Sequence, residues 1–194
     1  GSSLTGADLS SANLQGADLR GANLSETKLV DSQLSGADLT ATNLSATDLT
    51  GVSFASAIVR YSILSDRNLQ GFDFRDAVLD GSVFERSNLS GADFRGSNLT
   101  EANFEGAILD RAQLAGAVLQ NANFHTASLR WVDLSDLTLR IKTLSYADLS
   151  GSNLSGADLS NQDMNRASLR GADLSGTILN GASLFKADLT GADL

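Results

Sequence analysis

Residues 6–25 read GADLSSANLQGADLRGANLS, which is four consecutive five-residue units, each with leucine in fourth place. The same period continues from Leu4 to Leu194 without a slip, and every central residue is Leu, Phe, Val or Met. A period of five matches neither an α-helix, which repeats at about 3.6 residues, nor a strand, which repeats at about 2. The pattern therefore predicts a solenoid, in a single domain spanning residues 1–194.

The positions around each central residue, numbered i, have distinct roles. The residue at i−2 is usually Ala, Ser or Thr and shares a face with the central residue, as alternate residues of an extended segment do. Asp or Asn at i−1 then points to solvent, and positions i+1 and i+2 turn the chain. Seventeen of the 18 glycines occupy i+2, which predicts a type II turn because its second central residue needs a positive φ. We expect another turn type where other residues occupy i+2, as at Asp31, Arg86, Glu101 and Trp131.

Phenylalanine indicates how many units complete one coil. Two series recur at every fourth unit: Phe54, Phe74 and Phe94, and Phe84, Phe104 and Phe124. Aromatic centres at that spacing should stack in successive coils, and the offset between the two series puts them on opposite walls. We therefore expect four units per coil, a square cross-section and a rod of about ten coils, with about 4.8 Å between coils. The absence of proline agrees, since each coil must donate backbone N–H groups to its neighbours.

The units GADLS at residues 6–10, GANLS at 21–25 and GADFR at 91–95 resemble the A(D/N)LXX motif of the pentapeptide repeat family. The resemblance covers essentially all 194 residues, and the regular ADL and ANL units are most similar to the versions abundant in cyanobacteria. It implies an all-β fold, a right-handed quadrilateral β-helix.

The chain is acidic, with a formal charge of −9 and a pI of about 4.4, and its acids are spread along the whole length. Direct binding to nucleic acid is not expected, because neutralising phosphates needs clustered Lys and Arg. No apolar run is long enough to span a membrane, and there is no cysteine. These features predict a soluble protein without naming its compartment, for which we favour the cytoplasm.

The residues offer little for catalysis. His125, the only histidine, occupies i+1 in a file with Glu85 and Glu105. No nucleophile and orienting group accompany it, and a rod provides no cleft. The aspartates recur because the motif uses Asp or Asn at i−1, so they do not indicate a metal site. We expect no enzyme activity, no catalytic residue, no metal site and no cofactor.

Five residues break the rule that i−2 is small: Arg67, Phe72, Leu137, Lys142 and Gln162. Lys142 and Gln162 are four units apart and should be neighbours in adjacent coils. Either the lysine binds the glutamine carbonyl inside the rod, or the wall bulges and both side chains reach water. We favour the bulge, because burying an ammonium group is costly.

Arg111 and Trp131 occupy i+2 in adjacent coils, and Arg130 lies beside them at i+1. An exposed tryptophan with arginine neighbours is the composition of a protein-binding hot spot, which makes these three residues candidate partner contacts. The alternative is that Arg111 only covers the indole through a cation–π contact.

Two further surfaces could bind a partner. Tyr146, Arg166 and Lys186 form a basic file that could meet an acidic partner or a neighbouring domain, or could be a solvated edge. The other surface is an apolar strip on one wall, which could dock a protein or simply reflect the preference of strands for β-branched residues. It comprises Ile58, Val78, Val118 and Ile178, with Tyr61 and Ile141 projecting from its turns.

The function favoured by these features is a structural or protein-interaction scaffold, whose protein partner is unknown and which could be part of a larger protein. The resemblance implies an alternative, since some pentapeptide repeat proteins imitate duplex DNA and bind DNA gyrase. The charge fits that alternative, but Arg75 and Arg95 should cancel Asp73 and Asp93 on one wall.

A solenoid exposes its core and unpaired backbone groups at each end unless something covers them. Because repeats fill this chain from end to end, we expect either flanking sequence in the native protein or an end-to-end homodimer. Phe185 and Leu194 are the candidate residues for such an end interface.

Overall fold

The computed structural model describes residues 2–135 and 140–194. Within these ranges there is no helix and no strand longer than one residue; each extended residue forms an isolated parallel β-bridge. The bridges join residues four units apart, as in the successive pairs Val78–Asn98 and Asn98–Val118. The chain is thus a β-helix solenoid in which each stretch of four units, here called a coil, lies against the next.

A regular coil in the interior of the rod forms hydrogen bonds with the coils on both sides. The backbone N–H of Leu99 donates to the carbonyl of Val118 in the next coil at 2.8 Å, and that of Asn98 donates to Ala77 in the preceding coil at 2.9 Å. Within the unit, the N–H of Ala102 donates to the carbonyl of Leu99 at 3.0 Å and closes the turn. A proline would remove one of these donors, which explains its absence from the sequence.

The predicted phenylalanine stacks are confirmed. The ring centroids of Phe74 and Phe94 are 4.9 Å apart with planes 5° from parallel, and those of Phe84 and Phe104 are 5.1 Å apart with the same angle. The two stacks meet edge to face, since the Phe84 and Phe94 planes cross at 84° with centroids 6.0 Å apart. The rings of Phe54, Phe74, Phe84, Phe94 and Phe104 are completely buried.

The prediction that non-glycine residues would change the turn type is wrong. Asp31, Arg86, Glu101 and Trp131 have φ values of 54°, 55°, 59° and 58°, in the same left-handed region as the glycines. A left-handed conformation costs a residue other than glycine about 1–2 kcal/mol. The hydrogen bonds to the coils on both sides determine the turn, so the i+2 residues of the regular units adopt it with many different side chains; Ala46 and Ile141 are described exceptions.

This strain can be relieved at Glu101, whose exposed side chain makes no hydrogen bond in the described part of the chain. We expect Glu101→Gly to raise the free energy of unfolding by roughly 0.5–1 kcal/mol, because the relieved strain exceeds the entropy cost of glycine. The control is Glu105→Gly at i+1, where φ is not positive and the same change should lower stability by roughly 0.5–1 kcal/mol. Urea unfolding of both variants measures the difference, and a loss at both positions would refute the strain.

The recurring Asp or Asn at i−1 does more than face solvent, because its side chain closes the turn. The backbone N–H of Arg75 donates to Asp73 Oδ1 at 3.1 Å, and that of Thr190 donates to Asp188 Oδ1 at 2.9 Å. This Asx geometry recurs along the rod. Hydrogen bonds from the Arg75 side chain, reinforced by this backbone bond, lower the pKa of Asp73 to about 2.

The wall bulges at Lys142, but only one of the two predicted consequences is observed. Lys142 N–H donates to the carbonyl of Ala122, which a regular unit would give to residue 143, so the chain has slipped by one residue. Ile141, predicted to project outward, is instead buried, and Lys142 is exposed. Gln162 stays buried with Oε1 unbonded, so the Lys142–Gln162 hydrogen bond is not formed. Leu137 lies outside the described residues.

On another wall, the side chain of Arg67 replaces part of the ladder, that is, of the backbone hydrogen bonds between successive coils. Its guanidinium donates to the carbonyls of Ser45 at 2.9 Å and Thr47 at 2.5 Å. In the described residues the N–H of Asn68 makes no bond to Thr47, although the regular pattern provides one there. Burial lowers the pKa of Arg67, and the charge of Asp48 opposes this shift.

Candidate functional site

Between residues 51 and 191, one edge of the rod is lined by glycine except at two positions. We call it the tryptophan edge; its turn residues at i+2 are Gly51, Gly71, Gly91, Arg111, Trp131, Gly151, Gly171 and Gly191. The turns stack directly, since Arg111 N–H donates to the carbonyl of Arg130 at 2.9 Å. Only two side chains therefore rise from this position over eight coils. The glycines at the equivalent positions of the flanking coils single out Arg111 and Trp131. This signal is present in the sequence and is visible once units four apart are aligned.

Two guanidinium groups lie over the indole of Trp131. Those of Arg111 and Arg130 lie 4.9 Å and 5.2 Å from its ring centroid. The ring leans over the next coil, where a Cβ on Gly151 would come within 2.8 Å of it. Arg111 thus covers part of the indole, as the alternative interpretation predicted, yet 52% of Trp131 remains exposed.

Arg130 is fixed in place and Arg111 is not. The Arg130 guanidinium pairs with Asp110, with its Nε donating to Oδ2 at 2.9 Å, and Ser128 Oγ donates to the other carboxylate oxygen at 2.5 Å. Burial alone would raise the pKa of Asp110, but the hydrogen bonds from Arg130 and Ser128 outweigh it and lower that pKa. Among the described residues, Arg111 has no carboxylate partner.

A shallow open depression lies against this cluster. It combines an aromatic wall, a cation and several hydrogen-bonding groups, which suits a segment of another protein better than a small molecule that needs enclosure. Its lining residues are Gln70, Ser90, Gly91, Asp110, Arg111 and Trp131.

The predicted basic file also lies on one edge, which we call the charged edge and define by the turn residues Glu85, Arg86, Glu105, His125, Tyr146, Arg166, Phe185 and Lys186. Arg166 lies over the Tyr146 ring at 5.5 Å from its centroid, and Lys186 Nζ lies 5.2 Å from that of Phe185. Neither Arg166 nor Lys186 forms an ion pair with a described residue. The Tyr146 side chain is 51% exposed.

His125 lies on the charged edge, but in the described part of the chain it pairs with neither Glu85 nor Glu105. Its ring meets the Tyr146 ring edge to face with centroids 5.5 Å apart, and its Nδ1 is 2.8 Å from Ser145 Oγ.

The two candidate residues for an end interface, Phe185 and Leu194, are 63% and 77% exposed.

The predicted apolar strip is not continuous. Ile58 and Val78 pair in adjacent coils, but Asn98 separates Val78 from Val118. Ile178 pairs with a charged neighbour, Asp158. Because Ile141 is buried as well, the described residues of this wall form no continuous apolar face.

Residues 2–135 and 140–194 contain no group of three or more His, Asp or Glu side chains arranged to hold a metal ion. Over the same ranges, no helix could cross a membrane.

The family model described as Pentapeptide repeats (8 copies) matches residues 2–40, 32–66, 64–96, 97–136, 144–181 and 163–194. No curated protein sequence matches the chain. Among solved structures, the chain is similar to HetL, a pentapeptide repeat protein involved in heterocyst differentiation regulation from the cyanobacterium Nostoc sp. strain PCC 7120. The identity is 30%, over 98% of this chain and 89% of HetL, with a TM-score of 0.37.

Two other structures are similar at lower identity. One is the plasmid-mediated fluoroquinolone resistance protein QnrB1 in a trypsin-treated form, with 19% identity over 97% of this chain and 91% of QnrB1 and a TM-score of 0.42. The other is Rfr23 from the cyanobacterium Cyanothece 51142, with 21% identity over 86% of this chain and 90% of Rfr23 and a TM-score of 0.23. Since the family model matches the repeats along nearly the whole chain, and the units stack as their period predicts, the protein belongs to the pentapeptide repeat family.

Proposed function

We propose that this protein is a non-catalytic protein-interaction scaffold, a right-handed four-sided rod of about ten coils that binds a partner through Trp131 and its two arginines. The observation that carries the proposal is the half-exposed indole in a left-handed turn, with glycine turns in the coils beyond it and beyond Arg111. Glycine would form this turn without strain, so the fold does not require Trp131.

The cluster is prepared for binding in three ways. Tryptophan and arginine are the residues most enriched at binding hot spots. The indole and Arg130 are already immobilised by their neighbours, so little side-chain entropy remains to be lost. Arg111 has no described carboxylate partner and can pair with an acidic group. The fitting partner is therefore a protein segment that places an apolar side chain on the indole and a carboxylate near Arg111.

A DNA-like surface that binds DNA gyrase is the second candidate, and the net charge of −9 favours it. The wall charges oppose it, because Asp73 and Asp93 form bidentate contacts with Arg75 and Arg95. Those carboxylates are neutralised where a DNA mimic needs unpaired negative charge. Inhibition of gyrase supercoiling by the purified protein would favour this candidate over the scaffold.

The scaffold proposal predicts that Trp131→Gly abolishes partner binding without loss of stability. The matched control is Tyr61→Gly, because Tyr61 is also an exposed aromatic residue in a left-handed turn and its ring lies over Gly81. Affinity capture with each protein, followed by mass spectrometry, should find a partner that wild type and Tyr61→Gly retain and Trp131→Gly loses.

The direct measurement uses the fact that Trp131 is the only tryptophan in the chain. Binding of the captured partner should shift the fluorescence of Trp131 and protect the indole from quenching by acrylamide. Arg111→Ala should weaken partner binding at least about tenfold. The role of the tryptophan edge would be refuted if wild type, Tyr61→Gly and Trp131→Gly captured the partner equally. It would also be refuted if Trp131 fluorescence did not change in the complex.

A further inference from the structure

We propose that a second copy of this chain binds along the charged edge, antiparallel to the first and related to it by a two-fold axis. In this arrangement Glu105 of each copy pairs with Arg166 of the other, and Glu85 faces Lys186. The proposal concerns a different edge from the tryptophan edge and does not depend on the partner proposed there.

The first support is the separation of charge along this edge. Its first half carries Glu85 and Glu105 against one cation, Arg86, whose charge is also offset by Asp66 in the preceding coil. Its second half carries two cations and, at these turn positions, no acid. An edge that is negative in one half and positive in the other is complementary to an antiparallel copy of itself, as an isologous interface requires.

The second support is the register. The charges lie in the turns of successive coils, at positions 85, 105, 125, 145, 165 and 185 or one residue later. The midpoint of this series lies between His125 and Tyr146, which carry no formal charge and whose rings already touch. Since the coils are evenly spaced at about 4.8 Å, one antiparallel alignment about this midpoint brings both charge pairs together.

The third support is that the side chains of the central pair, Glu105 and Arg166, are available, whereas Glu85 already accepts a 2.7 Å hydrogen bond from Asn103 Nδ2. Glu105 is exposed and forms no ion pair with a described residue; its carboxylate only accepts a long hydrogen bond of 3.5 Å from Asn123 Nδ2. Arg86 does not repel the facing Lys186 strongly, because it pairs with Asp66 at 2.7 Å and Glu85 at 3.3 Å.

The adjoining wall is compatible with the same alignment. It places Asn103 opposite Asp163 and Asn123 opposite Thr143, so no like charges meet and amide groups face hydrogen-bonding partners. Six coils give a contact strip about 30 Å long, which is small beside the interfaces of permanent dimers. We therefore expect a reversible dimer that high salt dissociates.

The test is a charge exchange followed by sedimentation velocity in about 20 mM and about 500 mM salt. Wild type should dimerise at low salt and be monomeric at high salt. Glu105→Arg and Arg166→Glu should each weaken self-association at least about tenfold, because each places like charges together. A mixture of the two variants should dimerise again, because the arginine introduced at position 105 of one copy then meets the glutamate introduced at position 166 of the other.

Arg20→Glu is the control, since it makes the same charge change as Arg166→Glu at an exposed arginine far from this edge. It should dimerise like wild type. Circular dichroism confirms that the variants are folded. A wild type that stays monomeric at low salt and high protein concentration overturns the proposal. The proposal is also overturned if neither single substitution weakens the dimer, or if mixing the two variants does not restore association. A dimer that is disrupted by Leu194→Lys instead would identify the chain ends as the interface.

Discussion

Replacing Phe94 by alanine should lower the free energy of unfolding by about 3–5 kcal/mol, the cost of removing a fully buried aromatic ring. The Phe94 ring stacks on Phe74 at 4.9 Å and meets Phe84 and Phe104 edge to face at 6.0 Å and 5.9 Å. The backbone around it is held by bonds to both neighbouring coils, so the walls cannot collapse far into the cavity. Guanidinium unfolding followed by circular dichroism measures the loss.

Two other variants calibrate this result. Phe94→Leu introduces the residue that most units use at this position, and we expect it to cost about 1 kcal/mol. Phe185→Ala removes the same number of atoms from a ring that is 63% exposed, and it should change stability by less than about 0.5 kcal/mol. A loss below about 1.5 kcal/mol for Phe94→Ala would mean that the coils close around the missing ring.

The stack at Phe94 was predictable because identical side chains at identical places in successive coils must meet. The same reasoning predicts that Arg111 lies next to Trp131. In both cases the contact follows from the period of four units per coil alone, which the sequence states many times over. Contacts between side chains of adjacent coils are therefore the most predictable feature of this fold.

The prediction from the sequence was wrong where the backbone departs from the five-residue period. Lys142 occupies a position that should point inward, and Ile141 one that should point outward, but a slip of one residue exchanges them. The exchange buries an isoleucine in place of an ammonium group, which lowers the free energy of the fold. The pattern of central residues is unchanged by the slip, so it carries no sign of it.

The turn at Trp131 shows a different limit. Local preference argued against a left-handed tryptophan, and φ is nevertheless 58°. The decisive influence is the hydrogen bonding of the neighbouring coils, which no single unit contains. The exposure that makes Trp131 a candidate site has the same origin, because the turn directs its side chain outward over Gly151.

Arg67 provides the second large effect, because its guanidinium serves two carbonyls that the ladder leaves open. Arg67→Met keeps the bulk of the side chain but removes the donors to Ser45 and Thr47. We expect it to lower the free energy of unfolding by about 2–3 kcal/mol, since hydrogen bonds to a charged group contribute about 1.5–3 kcal/mol each and part of the site can be reached by water.

Arg67→Ala distinguishes this role from simple packing. Alanine is the small residue usual at i−2, so the wall can close and Asn68 N–H can donate to the Thr47 carbonyl as in a regular unit. We therefore expect Arg67→Ala to cost less than Arg67→Met, by at least about 1 kcal/mol. Amide hydrogen exchange should show Asn68 unprotected in wild type and protected in Arg67→Ala. Equal losses for both substitutions, with Asn68 unchanged, would show that the guanidinium does not replace the ladder; Arg60→Met, at an arginine paired on the surface with Asp80, controls for the loss of charge.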